Sequence, residues 1–393
     1  MEPLCVSTWI APLQPALPGL GERELDELHV LETHLVQALA TTGPLTGAGL
    51  LALRRRLAAL RQPDATPDLA PPALALTDSL AAFLCGFHDL DLRDAVGIGH
   101  GRMILRHARE PVRQHWAARL ATGDLVGIAA TERHGGSRLQ EITTQATIRP
   151  GGGWLLNGEK CWVSRLTEAS GFVVFFKDPA GALTAAVLDA DTPGLQRRPV
   201  PPAGLGGWAW GGLSLTDVPL HPQDLLSGSG EGLRVFRRHF AHFRPLVAAT
   251  ALGTAAGAHT AVTVDLTARL DTRLIRRLRD NALVTLGRTH AELNAALLHA
   301  IGAAALTAAG SPHSDTWSRG VKAHAVDTAH RATAELSLLV GASAYQAQSP
   351  LAKARADLGG LLYADGIHDA LHRSVGRALT TTQPAQQPHA QAS

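Results

Sequence analysis

The chain has 393 residues, 45% of them apolar and only 18% charged, and its formal net charge is +2. This length and apolar content suffice for two or three packed domains, and the lack of a basic domain or tail argues against nucleic acid as a partner. No uncharged apolar run of about 18 residues predicts a membrane span, and we recognise no signal peptide. Because the three cysteines (Cys5, Cys85, Cys161) are odd in number and widely spaced, we expect reduced thiols and a cytoplasmic protein.

The first part of the chain predicts helices alone. Residues 1–22 are rich in proline and glycine, and leucines then recur at helical spacing from Glu22 to Ala40. The same periodicity predicts helices over residues 47–60, 74–87, 90–105 and 110–121, with prolines in 62–72 as a break. We therefore predict an N-terminal helical domain over residues 1–122.

The middle of the chain changes to a period of two from Leu125 onward. Short apolar runs punctuated by Gly, Pro, Asn and Asp predict strands over 142–148, 154–156, 160–163, 172–176, 185–188 and 213–215. Asn157-Gly158 between two of these runs predicts a two-residue hairpin turn. We interpret residues 123–227 as an antiparallel β domain. Trp208 and Trp210 lie on a loop, and we favour core residues over the alternative that they form the wall of a cofactor site.

The last part of the chain returns to helical periodicity, over about 232–270, 274–308, 316–347 and 350–379. Four long helices predict a bundle over residues 228–380. The Gln- and Pro-rich tail, 381–393, is predicted to be disordered. The fold class is therefore α+β: helices, then an antiparallel β domain, then a four-helix bundle.

One stretch, Gly127 to Ser137, reads as a strand followed by a bend of small residues. Thr131, Gly136 and Ser137 supply two hydroxyls and a bare backbone there, so main-chain N–H groups can approach a phosphate or a polar ring edge. Trp162 and Ser164 are two residues apart and are predicted to share a strand face. An aromatic ring beside a hydroxyl suits a flat cofactor with polar edges; the alternative is an ordinary hairpin with a core tryptophan.

These two segments together resemble the acyl-CoA dehydrogenase family, in which Thr-Glu-Pro-x-x-Gly-Ser is followed by Leu-Asn-Gly-x-Lys-x-Trp-Ile-Thr. Here Arg133 replaces the proline and Ser164 replaces the threonine, so the chain is a divergent member. The order of helices, strands and bundle is also that of the family. The resemblance implies FAD as cofactor, with its flavin held by Thr131, Gly136, Ser137, Trp162 and Ser164.

The resemblance extends into the bundle. Arg269 occupies the place of a family arginine that reaches the FAD pyrophosphate of a neighbouring subunit, and Gly341-Ala342 matches a small-residue segment that contacts FAD. The family usually has Gln where this chain has Leu338. A shared site of this kind implies a homodimer or homotetramer; the alternative for Arg269 is a solvated helix arginine.

Asp365-Gly366 falls on the family's catalytic Glu-Gly in an ungapped alignment through Pro350 and Asp357. The resemblance implies that Asp365 removes the pro-R α-proton of an acyl thioester while the β-hydride passes to the flavin. We assign Asp365 and Arg244, part of a family Arg-Pro pair, to the catalytic site. Asp365 is one methylene shorter than Glu, its leucine-rich neighbours predict an apolar setting, and the alternative is that it caps a helix.

We expect an acyl-CoA or acyl-carrier-protein thioester as substrate, and the sequence does not distinguish these carriers. An electron-transfer flavoprotein or another acceptor would then reoxidise the protein. Departures at Leu338, Thr272 and Ile367 leave a flavin monooxygenase or oxidase as a second hypothesis, and a FAD-free, non-catalytic paralogue as a third. We predict no metal site: His368 and His372 have helical spacing but lack a third ligand.

Overall fold

The structure, a computed structural model, describes residues 4–42, 47–60, 72–134 and 138–381. Its first part contains five α-helices: α1 Glu22–Thr42, α2 Ala48–Leu60, α3 Pro72–His88, α4 Gly101–His107 and α5 Val112–Ala121. The prediction of one helix over 90–105 is wrong. A short 3₁₀ helix (Leu90–Ala95) is followed by Gly97 and Gly99, whose φ angles of 72° and 50° are incompatible with a right-handed helix.

The middle part forms one seven-stranded sheet: β1 Val126–Ala129, β2 Gln145–Ile148, β3 Trp154–Val163, β4 Gly171–Lys177, β5 Leu183–Asp189, β6 Leu195–Pro199 and β7 Gly211–Leu220. The strand order is β1-β4-β2-β3-β7-β6, and β5 pairs with β4. Most pairs are antiparallel as predicted, but β1 and β2 both run parallel to β4. Strand β6 was not predicted, because its Leu-Gln-Arg-Arg-Pro sequence is polar and lies at the sheet edge.

The predicted hairpin at Asn157-Gly158 is wrong, because both residues lie inside the ten-residue strand β3. The pairing of β3 with β7 shifts register between Leu156 and Gly158, so this dipeptide forms a bulge instead of a turn. Asn157 exchanges two hydrogen bonds with Asp217 on β7, at 3.0 and 2.9 Å. Gly158 has φ = 150° and lies against Thr144, so the glycine is needed for close approach within the sheet.

The C-terminal part contains α6 Gly232–Asp271, α7 Asp280–Ala308, α8 Ser314–Val340, α9 Pro350–Leu361 and α10 His368–Thr381. Two of the predicted helices include residues at which the structure interrupts the helix. The predicted third bundle helix ends at Val340, where a 3₁₀ turn over Gly341–Tyr345 begins, and the predicted last helix is divided in two between Leu361 and His368. Both breaks fall on segments that the sequence assigned to the functional site.

A close crossing of α3 and α6 connects the N-terminal helices to the bundle. A Cβ atom at Gly86 would lie 2.0 Å from the Thr250 carbonyl oxygen, and one at Gly253 would lie 1.9 Å from that of Phe83. Only glycine permits backbones to approach so closely. By length and composition α6 and α7 could each cross a membrane, but 72% of the apolar window of α6 is buried inside the fold. Its apolar character is therefore used in packing.

Candidate functional site

The fold brings together the two segments that the sequence singled out. Thr131 follows β1, and its carbonyl oxygen accepts a hydrogen bond from the backbone N–H of Cys161 in β3 at 2.9 Å. Beside this contact, the Lys160 ammonium donates to Glu132 Oε1 at 2.7 Å, and both side chains are buried. The predicted cofactor residues Gly136 and Ser137 lie outside the described residues.

Protein donors bind both oxygens of the Glu132 carboxylate. It accepts the backbone N–H and hydroxyl groups of Thr143 and Thr144 at 2.6 to 3.0 Å, in addition to Lys160. Burial by itself would raise the pKa of Glu132, but the hydrogen bonds from Lys160 and Thr144 outweigh it and lower the pKa to about 2. Burial lowers the pKa of Lys160 to about 8 despite this partner. The pair therefore fixes the two segments against each other.

Trp162 is the exposed member of a series of three indoles. The prediction that Trp162 and Ser164 share a strand face is wrong: the strand register shifts between Lys160 and Val163, Trp162 has φ = 58°, and it is 60% exposed while Ser164 is buried. Trp162 meets Trp210 edge-on with ring centroids 6.3 Å apart, and Trp210 stacks on buried Trp208 at 5.9 Å. The prediction of core residues is confirmed for Trp208, which is buried, but Trp210 is only half-buried.

The donors in this region fit a flat cofactor with polar edges. Among the described residues, the indole Nε1 atoms of both Trp208 and Trp210 are buried without a hydrogen-bond partner. Buried donors normally have acceptors, so these two neighbouring N–H groups are donors available to a bound group. Trp162 adds an exposed aromatic face, and Thr131 and Ser164 add hydroxyls. An isoalloxazine ring, which is planar and bears acceptors on its edge, matches this set.

Arg269 lies next to the predicted small-residue segment in the same chain. Its guanidinium donates to the Val340 carbonyl oxygen at 3.2 Å and pairs with Asp265 at 2.8 Å. Gly341 follows with φ = 78°, and nothing in the described chain lies within 4 Å of a Cβ placed there. Ala342 is exposed as well. Near them, Leu338 is 80% exposed and Tyr345 is 83% exposed, an apolar surface that a second subunit could cover.

Asp365 lies in the turn between α9 and α10, with φ = 56°. Because α10 begins only at His368, the alternative that Asp365 caps this helix is wrong. The expected apolar setting is also wrong. The carboxylate Oδ2 accepts a hydrogen bond from Arg93 at 3.1 Å, and both side chains are at least nine-tenths buried. Burial of a carboxylate requires such a partner.

Two further cations hold the backbone of this turn. Arg244 Nε donates to the Asp365 carbonyl oxygen at 3.2 Å, and Lys322 Nζ donates to the carbonyl oxygens of Leu361 and Gly366 at 2.7 Å each. Burial lowers the pKa of Lys322 to about 7, and burial together with nearby Arg319 lowers the pKa of Arg244 to about 10. The two predicted catalytic residues, Asp365 and Arg244, are thus in direct contact.

Sequence reasoning missed Arg93 and Lys322. Arg93 belongs to a stretch, Asp89 to Asp94, in which four of six residues are charged, and that density is itself a sign that the segment is not a simple amphipathic helix. Lys322 is a lone cation between Val321 and Ala323 on a buried helix face.

His239 is a buried packing residue 2.9 Å from His100, and burial lowers its pKa well below the ordinary value.

Arg93 connects the three indoles to the turn that contains Asp365. Its guanidinium carbon lies 3.6 Å from the ring centroid of Trp208, at the inner end of the series, and the same group pairs with Asp365. The structure therefore places the exposed Trp162, the orphaned indole N–H groups and the candidate base in one continuous set of contacts. Asp365 is therefore linked, through Arg93, to the indoles of the candidate cofactor site.

Comparison with known proteins identifies the family of this chain. The chain matches the acyl-CoA dehydrogenase middle domain over residues 127–218 and the acyl-CoA dehydrogenase C-terminal domain over residues 230–380. A probable acyl-CoA dehydrogenase, fadE25, from Mycobacterium leprae is 25% identical over 287 residues, which are 72% of this chain and 74% of that protein.

Solved structures show the same fold. Butyryl-CoA dehydrogenase from Megasphaera elsdenii has a TM-score of 0.80 at 21% identity, covering 92% of this chain and 99% of that one. The prolyl acyl carrier protein oxidase AnaB has a TM-score of 0.78 at 18% identity, with coverage of 92% and 99%. Together with the domain matches, these results show that the chain belongs to the acyl-CoA dehydrogenase family of flavoprotein oxidoreductases, which act on acyl thioesters.

Proposed function

We propose that this protein is an FAD-dependent dehydrogenase that introduces an α,β double bond into an acyl thioester, with Asp365 as the base. The observation that supports this most directly is the position of Asp365. It lies in a helix break, held by Arg93 and Arg244, at the inner end of the contacts that start at Trp162. A helix cap or a surface acid would not need this buried cationic setting.

The flavin of FAD would be held by Thr131, Trp162 and Ser164, with Trp210 supplying an indole N–H; Gly136 and Ser137 complete the predicted set. When bound, FAD supplies an acceptor for the hydride that leaves the β-carbon of the substrate. The carboxylate of Asp365 takes the proton from the α-carbon, so the electron pair of that C–H bond forms the double bond. The Glu132–Lys160 pair keeps the two flavin-side segments in place.

Arg269, Gly341 and Ala342 would bind the remainder of FAD across a subunit interface. The exposed side chains of Leu338 and Tyr345 beside this segment support a homodimer or homotetramer, and the reduced cysteines expected from the sequence favour the cytoplasm. The carrier is CoA or an acyl carrier protein, and the reduced flavin passes its electrons to an electron-transfer flavoprotein or another acceptor. The reaction belongs to catabolism or to specialised biosynthesis.

The proposal is tested by anaerobic flavin bleaching with a panel of saturated acyl-CoA and acyl-pantetheine thioesters. Wild-type protein should purify yellow and bleach with at least one thioester. Asp365→Asn should retain flavin and fold but reduce it about 10²- to 10⁴-fold more slowly, the usual cost of losing a general base. Asp365→Glu, which restores the family's residue, should retain activity, and Asp369→Asn, an exposed acid on α10, is the matched control. A wild-type bleaching rate in Asp365→Asn contradicts the assignment of the base.

An oxidase is the second candidate, because the chain shares the fold of the prolyl acyl carrier protein oxidase AnaB. The same bleached protein separates the two candidates when air is admitted. Rapid reoxidation with stoichiometric oxygen consumption supports an oxidase or monooxygenase, and slow reoxidation supports a dehydrogenase with a protein acceptor. A colourless protein that takes up no FAD would instead support the non-catalytic paralogue.

A further inference from the structure

The position of the Arg93 guanidinium is fixed on several sides. It lies over the Trp208 ring at 3.6 Å and 5.2 Å from the centroid of the Phe243 ring, and its side chain is 5% exposed. One of its nitrogens also faces Asp94 Oδ2 at 3.4 Å. Stacking on a tryptophan face suits the planar, weakly hydrated guanidinium and removes its rotational freedom. Arg93 therefore cannot swing away from Asp365 without losing these contacts.

Asp94, the second partner of Arg93, is itself held by Arg165. Arg165 Nε donates to Asp94 Oδ2 at 2.8 Å, and its other nitrogens donate to the backbone carbonyl oxygens of Gly207 and Asp91. Burial opposes ionisation of Asp94, but the charges of Arg93 and Arg165 hold its pKa far below the ordinary range. The anchor behind Arg93 is a buried, charged pair held by three hydrogen bonds from Arg165, and is not a mobile surface pair.

Three cations from three different segments thus bind the turn that contains Asp365. Lys322 of α8 holds the carbonyl oxygens of Leu361 and Gly366, Arg244 of α6 holds the carbonyl of Asp365, and Arg93 holds its carboxylate. The first two donate hydrogen bonds to the backbone and act on the carboxylate through their charge. Within the described residues, Arg93 is the side chain that donates a hydrogen bond to the carboxylate itself, so it has the most direct influence on where the carboxylate points.

We propose that Arg93 is a positioning residue for α-proton abstraction: it orients the Asp365 carboxylate toward the substrate and so compensates for the missing methylene. This inference rests on the proposed function, since it assigns Arg93 a role in the action of Asp365. A base displaced by about 1 Å can lose on the order of 10²-fold in rate, so orientation of this side chain is a large effect.

The test compares Arg93→Met with Arg93→Lys, using the fastest thioester of the panel and its α-deuterated and β-deuterated forms. Arg93→Met should retain FAD and lower the rate of flavin reduction about 10- to 100-fold with KM little changed. Its α-deuterium isotope effect should rise relative to the β-deuterium effect, because proton abstraction becomes the harder part of the step. Arg93→Lys should recover part of the rate. Arg102→Met, a half-buried arginine on α4, is the matched control and should leave the rate and both isotope effects unchanged.

A double-mutant cycle determines whether Arg93 acts through Asp365. In the Asp365→Asn background, Arg93→Met should have no further effect; an equal loss in both backgrounds would overturn the inference. A rate that is unchanged or raised in Arg93→Met would overturn it as well. If instead no thioester bleaches the wild type, or Asp365→Asn is fully active, the proposed function is refuted while the position of the Asp365 carboxylate remains to be tested. A crystal structure of Arg93→Met then still decides the positioning claim: the Asp365 carboxylate should leave its place while the Lys322–Gly366 contact remains, and an unmoved carboxylate refutes it.

Discussion

Glu132→Gln should destabilise the protein through the Lys160 ammonium that it leaves behind. The Lys160 side chain is 0% exposed and Glu132 is 7% exposed, so the amide would strand a buried charge. Breaking a buried pair in this way typically costs about 3–5 kcal/mol. The pKa of Glu132, lowered from 4.5 to about 2, favours folding by about 3 kcal/mol at neutral pH, and the pKa of Lys160, lowered from 10.5 to about 8 by burial, opposes it by a similar amount. The loss in the single variant therefore comes from the stranded Lys160 charge and not from a large net value of the intact pair.

The assay is urea unfolding of the FAD-free and FAD-loaded protein, with Glu132→Gln and the double variant Glu132→Gln/Lys160→Met. The double variant removes the stranded charge and should recover most of the lost free energy, because an apolar replacement of a buried pair is often neutral. The single variant should also bind FAD more weakly, because the pair holds Thr131 and Cys161 together. A single variant as stable as wild type would refute the reasoning.

The pH dependence gives an independent check of the same pair. The pKa of Glu132 is lower in the folded than in the unfolded chain, so its contribution is complete above pH 4.5 and is lost as pH falls toward about 2. Between pH 6 and pH 3 the wild type should therefore lose about 2 kcal/mol more stability than the double variant, which has neither titrating group. Parallel pH curves for the two proteins would contradict this assignment.

Three other changes have defined outcomes. Gly158→Ala places a Cβ 2.4 Å from Thr144 Oγ1 at a residue with φ = 150°. The melting temperature of this variant should fall by the equivalent of about 1–3 kcal/mol. Its control, Gly287→Ala in open space on α7, should not destabilise the protein. Trp162→Ala should lower flavin content or shift the flavin absorbance spectrum, and a holoprotein with an unchanged spectrum would exclude this residue from the flavin site. Arg269→Ala should weaken FAD binding in a titration without lowering helix content, and a monomer in sedimentation analysis that retains one FAD per chain would contradict the shared site.

Periodicity identified most helices and strands because their apolar faces are local properties of the sequence. Some failures are local, such as the helix predicted across Gly97 and Gly99, and in others a contact distant in sequence overrides a local preference. Asn157-Gly158 has the composition of a turn, yet pairing with β7 and close contact with Thr144 make it a bulge. The helix expected over 350–379 is interrupted at Asp365-Gly366, where the φ angles are 56° and 115°, and the cations Lys322 and Arg244 bind the carbonyl oxygens of this turn.

The sequence by itself determined the order of helices, sheet and bundle, the family, and the identity of Asp365, Arg244, Trp162 and Arg269 as residues of interest. The order of elements follows from periodicity, whereas the family and these residues follow from the resemblance of short motifs to those of a known family. Only the tertiary structure showed that Arg93 pairs with Asp365, since 272 positions separate them in the chain. It alone showed that the carboxylate stands among cations and not among leucines, because charge compensation of a buried group is decided by whichever segments the fold brings to it.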